Sequence, residues 1–102
     1  MDKDYAMDTP NAEEFYNKLR IQLNESTNWP SEYLYKFIVK TEIEKIFHIE
    51  TIFNNTGAVI NTAESKNGKY TSVSINVIMK DPDAVISKYI EVTDKVEGVI
   101  SL

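Results

Sequence analysis

Residues Tyr70 to Lys80 alternate more cleanly than any other part of the chain, and that alternation constrains the rest. Thr71, Val73, Ile75, Val77 and Met79 fall on one side of an extended backbone, and Tyr70, Ser72, Ser74, Asn76 and Ile78 fall on the other. A period of two is the period of a strand. A strand with one apolar and one mainly polar side belongs in an antiparallel sheet that is covered on one face and open on the other. The apolar side needs a second layer to bury it, so a two-layer α+β domain is expected.

The neighbouring segments supply the other elements. Lys66-Asn67-Gly68-Lys69 contains Asn-Gly, a strong hairpin signal, which predicts a primed turn joining this strand to one over Ala58 to Ser65. Tyr33 to Val39 is aromatic and β-branched, as strands are. Its lone charge, Lys36, assigns the faces: Tyr35, Phe37 and Val39 inward, Leu34, Lys36 and Ile38 outward. Thr41-Glu42-Ile43-Glu44 has the form of a capping box, and Ile43, Ile46, Phe47 and Phe53 then trace a helical stripe bordered by Ile49 and Ile52. That helix is expected to stop near Asn54, with Gly57 as a left-handed cap. Asp81-Pro82 predicts a capped start for a helix whose apolar residues are Val85, Ile86, Tyr89 and Ile90. Val96 to Leu102 reads as a closing strand, with Gly98 at a bulge or close approach.

Ahead of all this, residues 1–9 show no apolar period and read as a flexible tail. Thr9-Pro10 suits a helix start, and Phe15, Leu19 and Leu23 recur on one helical face to about Asn24. The chain therefore divides into a tail (1–9), a helix and connection (10–32) and a domain (33–102). The order within the domain is β-α-β-β-α-β. Right-handed crossovers make that a ferredoxin-like sandwich, with a four-stranded antiparallel sheet and both helices on one face.

Composition removes several functions. With 102 residues there is room for one core. The absence of cysteine excludes disulfides, thiolate metal sites and cysteine nucleophiles. No apolar run approaches the ~20 residues of a membrane span, and the start lacks a signal-peptide pattern, so a cytoplasmic location is expected. A net charge of −5 works against nucleic-acid backbones and anionic membranes. Gly68-Lys69-Tyr70-Thr71-Ser72-Val73 faintly echoes an RNA-recognition strand, but Ser72 stands where a second stacking aromatic belongs.

No catalytic, cofactor or metal site is expected. His48 is the sole histidine, and Glu44, one turn away, offers it an ion pair and no catalytic partner. Ser72 and Ser74 would need a base to act as nucleophiles, and His48 belongs to a helix on the opposite face. Asp81-Pro82-Asp83 lacks the further ligands of a calcium loop. Gly57, Gly68 and Gly98 are too far apart for a phosphate loop.

Two stretches carry a family resemblance. Tyr35-Lys36-Phe37-Ile38-Val39, the hairpin Ser65-Lys66-Asn67-Gly68-Lys69-Tyr70-Thr71-Ser72-Val73-Ser74-Ile75 and the ending Val99-Ile100-Ser101-Leu102 resemble the YbeD-like family of small bacterial proteins with an ACT-like fold. The likeness covers about two thirds of the chain, from Tyr33 onward. It implies the same ferredoxin-like topology and a regulatory role linked to lipoate metabolism. ACT domains also sense small molecules, often amino acids held near a glycine in the loop after strand one. Here that loop, Val39-Lys40-Thr41-Glu42, has no glycine.

The functional expectation is a non-enzymatic regulatory or protein-interaction module, with an ACT-like metabolite sensor as the alternative. The surface singled out is the outward face: Leu34, Lys36, Ile38, Tyr70, Ser72, Ser74, Asn76 and Ile78. It is too apolar to face water unaided. The opening helix, packed over it or along its rim, or a second copy of the chain in a homodimer, is expected to cover it. A protein partner or a small-molecule effector is expected, and neither nucleic acid nor membrane.

Overall fold

The computed structural model describes residues 10–102. The reading of residues 1–9 as a tail, and of Thr9 as a cap, lies outside the described residues. The fold is α+β, with three helices and a four-stranded antiparallel sheet. In chain order the elements are α1 (Pro10–Ser26), β1 (Ser31–Lys40), α2 (Ile43–Ile52), β2 (Val59–Glu64), β3 (Tyr70–Met79), α3 (Pro82–Lys95) and β4 (Ile100–Ser101). The sheet order β2-β3-β1-β4 is compatible with a ferredoxin-like sandwich.

The two long strands pair in the register their alternation requires. Ser31 faces Met79 at one end and Lys40 faces Tyr70 at the other. Tyr35, Phe37, Val39, Val73 and Ile75 therefore share the covered face, and all are fully buried. Ile49, Ile52 and Phe53 of α2 and its C-cap meet them from above, with Val85, Tyr89 and Val92 of α3. Each such side chain contributes about 1.5–3 kcal/mol when removed from water. Lys88 joins the two helices: its ammonium donates to the Ile52 carbonyl at 2.7 Å and lies 5.5 Å from the Phe53 ring centre. That satisfies one of the carbonyls left open at the end of α2. The Asp81 cap is formed as expected, its Oδ1 accepting from the Ala84 N–H at 2.8 Å.

Tertiary pairing corrects four local expectations. Thr41 does not cap α2. Its N–H donates to the Lys69 carbonyl and its hydroxyl lies 2.8 Å from that of Thr71, so the sheet claims it. Glu42 becomes the N-cap, without a side-chain bond. The face of α2 is also rotated: Ile49, Ile52 and Phe53 are buried, whereas Ile43 and Phe47 are exposed. The hairpin is not a two-residue primed turn, because Asn67 does not adopt positive φ. The Gly68 N–H donates to the Ser65 carbonyl at 2.8 Å, and Gly68, at φ 75°, then redirects the chain. Asn67 Oδ1 braces the turn by accepting from the Lys69 N–H. Lastly, the closing strand is shorter than expected. Val96 caps α3 and is buried, Gly98 sits in the turn at φ 75°, and only Ile100–Ser101 form β4.

The position of α1 corrects a larger expectation. It does not cover the open face of the sheet. It lies beside α3 in the helical layer, with Tyr16, Leu19 and Leu23 half-buried against the core and Phe15 exposed. Arg20 Nε donates to Asp83 Oδ1 at 2.5 Å, and Trp29 Nε1 donates to the Leu23 carbonyl at 3.1 Å. The main neighbour of α1 is α3, so the expected packing against the sheet, over the open face or along its rim, gives way to packing within the helical layer. The Trp29–Pro30 peptide bond in the connection is cis.

Candidate functional site

With α1 in the helical layer, the outward sheet face is uncovered among the described residues. Its layout follows from the register. Ala63, Ser72, Ile38 and Ile100 form one row across the strands; Asn61, Ser74 and Lys36 form the next; Val59, Asn76 and Leu34 a third; Ile78 and Glu32 a fourth. Tyr70 stands opposite Lys40 at the hairpin end. All eight outward residues singled out from sequence lie on this one surface.

The chemistry of the face is mixed in a definite way. Ile78 is 70% exposed and Leu34 57% exposed. They flank Asn76, and Val59, on the other side of Asn76, is 62% exposed. Three large aliphatic groups thus surround one amide. Ser72, Ser74 and Asn76 run down β3 as a polar column, with Ser72 Oγ donating weakly to the Ala63 carbonyl at 3.4 Å. Ile38, Ser72 and Ser74 are half-buried, while Lys36 and Asn76 are exposed.

Val59 and Ile100 belong to this surface and were missed in the sequence. Neither strand alternates strongly enough to assign its own faces. Val59 is placed by pairing with Asn76, and Ile100 by pairing with Ile38. The signal is a pairing register, which does not exist before the sheet is assembled.

The structure does not bring together the serines and the histidine singled out from sequence. Ser72 and Ser74 are on the open face, and His48 is an exposed residue of α2, in the other layer, with no acidic ion-pair partner among the described residues. No group of three His, Cys, Asp or Glu side chains suited to a metal occurs among the described residues. No described helix is long and apolar enough to cross a membrane. Perturbed ionisations lie on the helical side. Burial pushes the Tyr35 and Tyr89 hydroxyls well above the ordinary tyrosine range. Glu91 is displaced the other way: its slight burial would raise it, but Lys88 and Lys95 outweigh that and hold its carboxyl low.

Comparison with known proteins adds no relative: no protein-family model, curated protein or solved structure matches the chain.

Proposed function

We propose that this protein is a non-enzymatic regulatory or protein-interaction module of ferredoxin-like, ACT-like type, which works in the cytoplasm. The observation that carries this reading is the bare sheet face, where Ile78, Leu34 and Val59 stand exposed around Asn76. Contiguous apolar surface of this kind on a small domain marks a contact site. The polar column of β3 supplies the hydrogen-bonding groups that give such a contact direction. The net charge of −5 favours a protein partner over nucleic acid or an anionic membrane. The likeness of the hairpin to the YbeD-like family points the same way, toward regulation.

A protein partner or a second copy of the chain would meet the face through the same aliphatic groups. Sedimentation over a wide concentration range, for wild type and for the double variant Leu34→Asp/Ile78→Asp, tests the homodimeric form. Concentration-dependent association of wild type, abolished in the variant, is the expected result. Heterotypic contact is tested by amide protection of the face on adding partners recovered from the native host. If neither measurement ever protects β1 and β3 on that face, the reading fails.

A second reading, an ACT-like sensor of a small metabolite, is favoured by the cleft that α1 forms with α3 and the chain end. A thermal-shift screen with amino acids and lipoate-related compounds tests it, since a ligand that binds only the folded state raises the midpoint by mass action.

A further inference from the structure

The cleft beneath α1 has a chemistry of its own. It encloses about 640 Å³ between Phe15, Tyr16 and Leu19 of α1, Tyr89 of α3, Tyr33 of β1 and the last four residues. That volume lies within the range of clefts that bury small organic ligands. Among the described residues its lining includes no Lys, Arg, His, Asp or Glu. A charged ligand would lose its hydration there without gaining a counter-charge.

Thr93 and Ser101 bring single hydroxyls to the lining, and two tyrosines bring a hydrogen-bonded pair. The hydroxyls of Tyr33 and Tyr89 lie 2.8 Å apart, and either can donate to the other. Two hydroxyls bring two protons, and their mutual bond uses one. The second has no acceptor among the described residues, although Tyr89 is only 8% exposed. Tyr33 is half-buried and both tyrosines line the open cleft, so water takes that proton when the cleft is empty and a ligand acceptor would take the water's place. Burial keeps Tyr89 protonated, so the pair remains a donor through the neutral range.

We infer that this cleft is a binding site for a small, uncharged, largely apolar molecule with one hydrogen-bond acceptor, such as a carbonyl, directed at the Tyr33–Tyr89 pair. The site lies mainly in the helical layer and shares Ile100 with the contact face, but Leu34 and Ile78, which test that face, are not in its lining, so each can be tested without the other. It also differs from an amino-acid or carboxylate site, because no side chain of the lining among the described residues carries a charge. The inference rests on the sensor reading's placement of a small-molecule site in this cleft and replaces the amino acids and carboxylates of that screen by neutral ligands.

Three probes of similar size separate the contributions: acetophenone, which is neutral with a carbonyl; ethylbenzene, which lacks the acceptor; and benzoate, which is charged. In titrations of the full chain followed by NMR, acetophenone is expected to saturate and to shift Leu19, Tyr33 and Tyr89. Ethylbenzene should bind about fivefold to tenfold more weakly, the usual net effect of one hydrogen bond. Benzoate should bind least. Tyr33→Phe/Tyr89→Phe should bring acetophenone down to the level of ethylbenzene, with its melting curve showing that it folds. Ala12→Phe, which fills the cleft from the helix end, should abolish both and guards against a double variant that does not fold. Equal binding of all three probes, or no saturable binding of either neutral one, overturns the inference. So does binding seen only after residues 1–9 are deleted, which would make that segment the occupant, or binding lost as the chain self-associates, which would make it a second copy.

Discussion

Replacing Leu19 by Asp tests how the N-terminal helix is held. Tyr16, Leu19 and Leu23 are the half-buried residues that α1 lays against the core. Full burial of a leucine is worth about 2 kcal/mol, so a half-buried one gives about 1 kcal/mol, and the three together hold the helix by about 3 kcal/mol. The Arg20–Asp83 pair is largely exposed and adds little. Detached, a 17-residue helix is marginal in water. Leu19→Asp removes about a third of the docking energy and leaves a carboxylate that the interface cannot accommodate, which favours the undocked state further. The rest of the core, which excludes α1, should stay folded, so the opening is local. Native-state hydrogen exchange reads this directly. Protection over residues 10–26 should fall by at least about tenfold, the equivalent of about 1.4 kcal/mol, while β1 and β3 amides keep theirs. Equal exchange of residues 10–26 in wild type and variant would refute the docking account. Equal loss across the sheet would refute its separateness.

Other outcomes follow from the same structure. Gly68→Val should cost roughly 1–2 kcal/mol and lower the melting midpoint, because φ 75° is unfavourable for a β-branched residue and its Cβ would meet Glu64 Oε1 at 3.3 Å. Alkaline titration should show a loss of stability that begins near pH 10. Tyr35 and Tyr89 have raised folded-state values, so their contribution is complete below the unfolded tyrosine value of about 10 and is lost as pH climbs towards the folded ones, by up to about 1.4 kcal/mol per pH unit for each. A flat stability curve above pH 10, in urea melts, would contradict this. Ile78→Asp on the open face should change monomer stability by no more than about 0.5 kcal/mol, since the side chain is 70% exposed; a larger loss in dilute protein would mean the face is covered within the monomer.

The sequence by itself determined the elements whose signals are local and redundant. β3 needs only its own alternation to assign Val73, Ile75 and Val77 to the core, and all three are buried. Lys36 does the same for β1. Asp81-Pro82 sets a helix start because a carboxylate acceptor and a fixed φ act within three residues. These strands also placed the eight outward residues on one surface.

Where local signals were degenerate, only tertiary structure decided. In α2 the aliphatic and aromatic residues Ile43, Ile46, Phe47, Ile49, Ile52 and Phe53 occupy most of the helix circumference, so periodicity permits several buried faces. The sheet selects the one centred on Ile49 and Phe53. Thr41 had two uses, as a helix cap or as a continuation of the ladder, and the Lys69 carbonyl opposite it settled which. Asn-Gly permits more than one turn, and the Ser65–Gly68 hydrogen bond fixed this one. For α1, an apolar stripe states that burial is required and leaves the partner open. The flank of α3 supplies that partner, which leaves the opposite sheet face bare among the described residues. The Tyr33–Tyr89 pair, separated by 56 residues, likewise exists only once β1 and α3 are packed together.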